Sequence, residues 1–153
     1  MLLPMKFNFQ GLNAGFLFHG KSAKKPVKLI YAESADLFAG LITNRLEKGE
    51  YSLLDLGSHK GEFLEDLKSR LNGYSFETVA VDVNESDLKE NQADKKIVAD
   101  LTQIPIDDKS IDLTIARYAI AWNGIENQKR IIKEIGRVTK RMAVIQQQGS
   151  DPA

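Results

Sequence analysis

The sequence predicts a three-layer α/β/α sandwich built on a mostly parallel sheet, and three observations carry that prediction. Short apolar runs recur at residues 52–56, 78–82, 96–100, 111–116 and 142–147. Stretches with apolar residues at helical spacing separate them, the alternation that crossover connections and right-handed βαβ units require. The first run ends in a glycine-punctuated turn, Gly57-Ser58-His59-Lys60-Gly61, that opens onto an amphipathic pattern.

Taken in order, Met1 to Phe18 is apolar and aromatic in patches, but Lys6, Asn8, Gln10 and Asn13 interrupt it before a membrane-length or signal-like run develops. Phe7, Phe9, Phe16 and Phe18 suit either alternation along a strand or a cover over a pocket, and an arm packed on the core is the commoner outcome for such a segment. Residues 1–30 are therefore read as an arm or lid, residues 31–148 as the domain and residues 149–153 as a tail. Leu37, Phe38, Leu41, Ile42 and Leu46 form a helical stripe closed by Gly49. Ser52 to Leu56 then suits a strand covered on both faces. Phe63, Leu64, Leu67 and Leu71 make the next stripe, stopped at Asn72-Gly73. Thr78 to Asp82 is the second strand, and Ser86 is the expected cap of a short helix through Asn91. Lys96 to Asp100 and Ile111 to Ala116 are the third and fourth strands. Ile131, Ile132, Ile135 and Val138 mark a helix ending near Lys140-Arg141, before a fifth strand from Met142 to Gln147.

A chain of 153 residues with 42% hydrophobic content supports one ordinary core. Lys plus Arg and Asp plus Glu each total 21, so net charge gives no argument for nucleic acid or for an anionic membrane. The lysines at 21, 24, 25 and 28 read as a solvated loop. There is no cysteine, which excludes a disulfide frame, a thiolate nucleophile and a cysteine-ligated zinc, and permits a reducing cytoplasm, the expected location.

In an open parallel sheet, ligands sit beyond the carboxyl ends of the strands where the winding reverses. The residues there are Gly57, Ser58, His59 and Gly61 after the first strand, Asp82 with Val83 after the second, Asp100 and Leu101 after the third, and Arg117 and Tyr118 after the fourth. Glycines let a ligand approach the main chain, and a helix start presents unpaired N–H groups. Asp82 follows Gly61 by 21 residues, near the offset at which a carboxylate reads ribose hydroxyls. A dinucleotide site shares these parts, but the turn lacks the G-x-G-x-x-G and G-x-x-x-x-G-K-[ST] spacings, and Glu62 would oppose a pyrophosphate.

Leu54-Asp55-Leu56-Gly57-Ser58-His59-Lys60-Gly61, Val81-Asp82, Ala99-Asp100-Leu101, the stretch from Ser110 to Trp122 and the stretch from Ile132 to Lys140 together resemble the class I S-adenosylmethionine-dependent methyltransferases, of the small-molecule kind related to the ubiquinone-biosynthesis enzymes. The resemblance spans roughly residues 31–148. It implies a Rossmann-like fold, S-adenosylmethionine as cofactor and a small-molecule acceptor. It places Asp55, Gly57, Ser58, His59, Gly61, Asp82, Val83, Asp100, Leu101 and Arg117 against the cofactor, with Asp82 on the ribose and Asp100 facing the adenine amine. Tyr31, Tyr118 and Trp122 are weaker substrate-side candidates, as is His19. His59 stands where the family loop commonly has a glycine, and the family's Asn-Pro-Pro-aromatic motif has no counterpart after the fourth strand, where Arg117-Tyr118-Ala119-Ile120 stands. No catalytic residue and no metal site is assigned.

Family members usually continue past the fifth strand, so the chain is expected to lack the usual final strands and to leave Met142 to Gln147 as an exposed sheet edge. That predicts either a piece of a longer enzyme or a form that self-associates, a homodimer through this edge being preferred. Two functions follow from the resemblance: methyl transfer to an unidentified small molecule, or an incomplete methyltransferase-fold domain that binds cofactor or a protein partner without turnover.

Overall fold

The computed structural model describes the backbone of residues 6–9, 12–19 and 27–148 and the side chains of residues 35–146. The element order is β1 (Lys6–Phe9), β2 (Leu12–His19), α1 (Val27–Thr43), β3 (Glu50–Leu56), α2 (Glu62–Ser69), β4 (Ser75–Asp82), α3 (Glu85–Glu90), β5 (Lys95–Val98), β6 (Ile111–Arg117), α4 (Ile125–Val138) and β7 (Thr139–Gln148). The five predicted strands are β3 to β7. They run parallel in one sheet of order β1-β2-β7-β6-β3-β4-β5. From β3 the chain winds outward through β4 to β5, then returns to the other side of β3 for β6 and β7, so the winding reverses between β3 and β6.

Both faces of the sheet are covered, which is why its strands are near-continuous apolar runs. On one face Leu54, Leu56, Val79, Val81, Ala116, Ala143 and Ile145 pack with Ile131, Ile135 and Val138 of α4. On the other, Leu53, Leu113, Ile115, Met142 and Val144 meet Phe38 and Ile42 of α1 and Phe63, Leu64 and Leu67 of α2. Phe38 and Phe63 meet edge to face, with centroids 5.1 Å apart.

Four expectations are corrected. β7 is not an edge: β2 pairs with it in parallel from Asn13↔Met142 to His19↔Gln148, and β1 pairs antiparallel with β2. The N–H and C=O groups on that side of β7 face a strand of the same chain, which removes the basis for a homodimer formed through it. Residues 6–9 and 12–19 are consequently part of the sheet rather than a lid, and the boundary expected after residue 30 falls inside α1. The short helix is capped by Asn84, whose side chain accepts from the N–H groups of Ser86 and Asp87, and not by Ser86. The last helix stops at Val138, and Thr139 to Arg141 already belong to β7.

One side-chain network fixes the segment between β5 and β6. Arg137 donates from Nε and Nη2 to the two oxygens of Glu134, from Nη2 to the carbonyl of Ile104, and from Nη1 to the carbonyl of Ile106 and to Asp108, all at 2.7–2.8 Å. Glu134 also accepts the N–H of Ile104, and the guanidinium bonds hold its carboxyl below the usual range. Arg137→Ala is expected to cost about 3 kcal/mol and to lower the melting temperature by roughly 5–10 °C. Arg137→Lys should recover less than half of that loss in a thermal melt, because an ammonium cannot reproduce the fork.

Candidate functional site

The site lies at the reversal between β3 and β6 and begins with the turn leaving β3. Gly57 and Gly61 have φ of +65° and +83°, a region glycine enters without steric cost. The Gly57 N–H donates to the carbonyl of Val81 at 2.9 Å and the Gly61 N–H to that of Ser58 at 2.9 Å, which ties the turn to β4 and closes it on itself. Gly61 then starts α2, with Glu62 and Glu65 in its first turn.

This turn forms one wall of a cleft of about 370 Å³, within the size range of small-molecule sites, lined by Asp55, Gly57, Ser58, His59, Lys60, Gly61, Glu62, Phe63, Asp87 and Arg117. Asp55 and Arg117 come from adjacent strands on the face that packs against α2, and the Arg117 guanidinium lies 4.3 Å from the centroid of the Phe63 ring. Asp55 is buried, and desolvation pushes its carboxyl up to about 7; Arg117 opposes that rise and Asp82 adds to it. The Ser58 hydroxyl is buried and has no hydrogen-bond partner among the described residues. Beside the cleft, Tyr118 follows β6 with φ +56° while its N–H donates to the carbonyl of Gln146 at 2.7 Å. A bulky residue in this region signals stored strain, a frequent property of functional loops.

Of the residues singled out in the sequence, the fold gathers Asp55, Gly57, Ser58, His59, Gly61 and Arg117 around this cleft. Asp82 lies beneath the turn: one oxygen accepts the N–H of His59 and the other that of Asn84, each at 2.9 Å. Val83 and Asp100 follow two paired strands, β4 and β5, on the same carboxyl edge, Asp82 standing opposite Val98. Val83 and Val98 are exposed apolar side chains there, and Leu101 is buried beside them in sequence. Asp100 accepts from the hydroxyl and N–H of Thr102, which hold its carboxyl below the usual range. Trp122 is 84% exposed, and neither it nor Tyr118 lines the cleft. The side chains of His19 and Tyr31 lie outside the described residues.

Sequence reasoning missed Asp87 and Asn91. Asp87 reaches the cleft from α3, with its carboxylate 3.5 Å from Nδ1 of His59. Asn91 is buried against Gly61, donates to the carbonyl of His59 at 3.0 Å and accepts the N–H of Ala93 at 2.9 Å. Their distance along the chain from His59 leaves no spacing signal, although a buried Asn after a short helix is a polar group that demands partners. Among the described residues, no group of three or more His, Asp or Glu could hold a metal ion, and no helix is long and apolar enough to cross a membrane.

Comparison with known proteins bears on the fold. Solved structures that share the fold include the PH0226 protein of Pyrococcus horikoshii OT3, with 24% identity over 72% of this chain and 53% of that one and a TM-score of 0.58. A putative S-adenosyl-L-methionine-dependent methyltransferase of Methanococcus maripaludis matches at 20% identity over 81% of this chain and 67% of that one, with a TM-score of 0.55. The [4+2]-cyclase SpnF matches at 21% identity over 71% of this chain and 42% of that one, with a TM-score of 0.55. The chain thus spans about half the length of the Pyrococcus protein. No curated protein matches it. The methyltransferase domain family matches residues 54–145, from the strand before the glycine turn to the end of the parallel sheet. With well over half of its length matched across the turn, the strand ends and the five-stranded parallel core, the chain belongs to the methyltransferase domain family.

Proposed function

We propose that the protein binds S-adenosylmethionine in the β3–β6 cleft and transfers its methyl group to a small-molecule acceptor. The observation that carries this reading is the charge of a cleft built around a left-handed glycine turn: Asp55, Glu62 and Asp87 line it together with Arg117. A ligand bearing an ammonium and a sulfonium suits the carboxylates, while its own carboxylate suits the guanidinium. A pyrophosphate would meet Glu62 in the first turn of α2. The residues fit the cofactor in two further respects. Ser58 offers a buried hydroxyl with no partner among the described residues, and Gly57 supplies the positive φ that the turn lining the cleft requires.

When bound, the cofactor supplies an activated methyl group, and the work left to this chain is positioning. Asp55 and Arg117 orient the charged end. Phe63 packs against Arg117 and limits its freedom. Val83 and Val98 provide apolar surface on the edge where Asp100 stands, suited to an adenine ring and its amine. A cytoplasmic location accords with the reading.

A cation placed beside Asp55 draws its carboxyl down from about 7, so binding near neutral pH releases a fraction of a proton. Isothermal titration with S-adenosylmethionine is expected to give saturable heat whose size near pH 7 differs between buffers of different ionisation enthalpy. That difference should vanish in Asp55→Asn. Absence of heat and of thermal shift with both S-adenosylmethionine and S-adenosylhomocysteine would remove the assignment. A second reading, cofactor binding without methyl transfer, is favoured by Trp122, which is exposed and does not line the cleft, although its place after β6 made it a candidate substrate contact. Methyl transfer from labelled cofactor to a panel of small acceptors separates the two.

A further inference from the structure

Given S-adenosylmethionine in the β3–β6 cleft, the reading on which this inference rests, we propose that Gln146 recognises the methyl acceptor. That acceptor then carries a hydrogen-bond donor beside a carbonyl-type oxygen, the pattern of an amide or lactam. Gln146 ends an apolar series on β7. Met142 and Val144 precede it on the same face of the strand and pack with residues of α1 and α2. Gln146 is fully buried there, and neither its amide nitrogen nor its amide oxygen has a hydrogen-bond partner among the described residues. Because both ends lack one, the point does not depend on which way round the amide is placed. Buried polar groups are as a rule paired, and an unpaired one gives up its hydration for nothing in return.

The sheet puts this amide beside the cleft. In register, Gln146 stands between Leu17 of β2 and Arg117 of β6. Leucine has no polar group to offer. Arg117 forms part of the cleft wall, its guanidinium 4.3 Å from the centroid of the Phe63 ring. On this face Arg117 comes between Gln146 and β3, so a group reaching the amide from the cleft passes that side chain. The main chain here is anchored: the Gln146 carbonyl accepts the N–H of Tyr118, the residue held at φ +56° beside the cleft. A strand fixed in this way presents a side chain more exactly than a loop does. A site with a buried amide strongly rejects any ligand that leaves the amide unpaired, so the group that lowers stability in the free protein confers selectivity in the complex.

The test uses the full chain with Gln146→Leu and Gln146→Met. Without ligand, both variants are expected to melt about 3–5 °C above the parent, since an apolar side chain of similar size has nothing to leave unpaired. The probes are benzamide and caprolactam, each with an N–H beside a C=O, added in the presence of saturating S-adenosylhomocysteine. Both should raise the melting temperature of the parent and shift the side-chain amide signals of Gln146 in isotope-labelled protein, identified as the pair missing from both variants. Toluene should do neither. The variants should bind the two amides roughly tenfold more weakly, or worse. A lower melting temperature in both variants means that the amide is satisfied inside the protein, by an enclosed water for example, and overturns the proposal. Failure of both amides to move the Gln146 signals overturns it too, as does equal binding of them by parent and variants. Titration of the parent with S-adenosylhomocysteine alone contains no acceptor probe, so absence of heat there overturns the cofactor reading itself, and this inference with it.

Discussion

Asp55→Asn is expected to melt about 10 °C above the parent at pH 8 and close to the parent at pH 4. The carboxyl of Asp55 is buried, and its proton affinity is raised from 3.8 to about 7 chiefly by desolvation, against the attraction of Arg117 and with a contribution from Asp82. The folded chain therefore holds this proton more tightly than the unfolded one. The associated stability is complete below the unfolded value of 3.8 and is lost as pH rises through about 7. That interval corresponds to about 4 kcal/mol at most, or roughly 10 °C for a domain of this size. Asn fills nearly the same volume and carries no charge to desolvate, so the loss disappears in the variant. Asp94, Asp100, Asp112 and Glu134, whose carboxyls are held low by hydrogen bonds, give a dependence of the opposite sign. They are common to both proteins and cancel in the difference. Melting curves at half-unit steps from pH 4 to pH 8 supply the measurement, and parallel curves for parent and variant would mean that Asp55 is ionised throughout.

A raised carboxyl at the floor of a cleft is a functional signature as much as a liability, since it marks a place where a ligand's positive charge can replace missing solvent. The sequence made this residue visible by position alone: an acid inside an apolar run, two residues before the glycine turn. The same logic exposed Gly57, Gly61 and Arg117, because strand ends are legible wherever a run of buried residues stops. β3 to β7 were legible for that reason, each being covered on both faces.

The partner of β7 was not legible. Phe16 and Phe18 suit a strand, but pairing of β2 with β7 joins segments more than a hundred residues apart, and composition does not encode register. The cap of α3 illustrates a local ambiguity. Asn84 and Ser86 are both cap formers, and the main chain selects Asn84 because Asp82 already holds its N–H and fixes its entry into the helix. Trp122 shows the limit of reading an aromatic residue by rank: its place after β6 suggested a pocket wall, and the turn from residue 118 to 123 carries it into solvent.

Gly57→Ala is expected to lose most cofactor affinity and about 2–4 kcal/mol of stability, through two separable causes. At φ +65° an L-residue costs about 1–2 kcal/mol. An added Cβ would also stand 2.6 Å from Cβ of Ala119, well inside ordinary contact, while its 3.5 Å distance from the Ala119 Cα is an ordinary one. Ala119 has little room to retreat, because Tyr118 is held by its N–H to the carbonyl of Gln146 and Asn123 donates to the Ala119 carbonyl. The turn must move instead, carrying with it the amides that close the cleft. Ala119→Gly in the Gly57→Ala background removes the overlap and leaves the backbone cost, so it should restore roughly half of the lost stability. Gly40→Ala provides the control, since nothing lies within 4 Å of an added Cβ at this position in the last turn of α1, and that change should stabilise by about 0.5–1 kcal/mol. Equal losses in Gly57→Ala with and without the second substitution would place the whole effect in the backbone and dismiss the steric contact. A Gly57→Ala protein that binds S-adenosylhomocysteine as the parent does would show that the ligand does not depend on the shape of this turn.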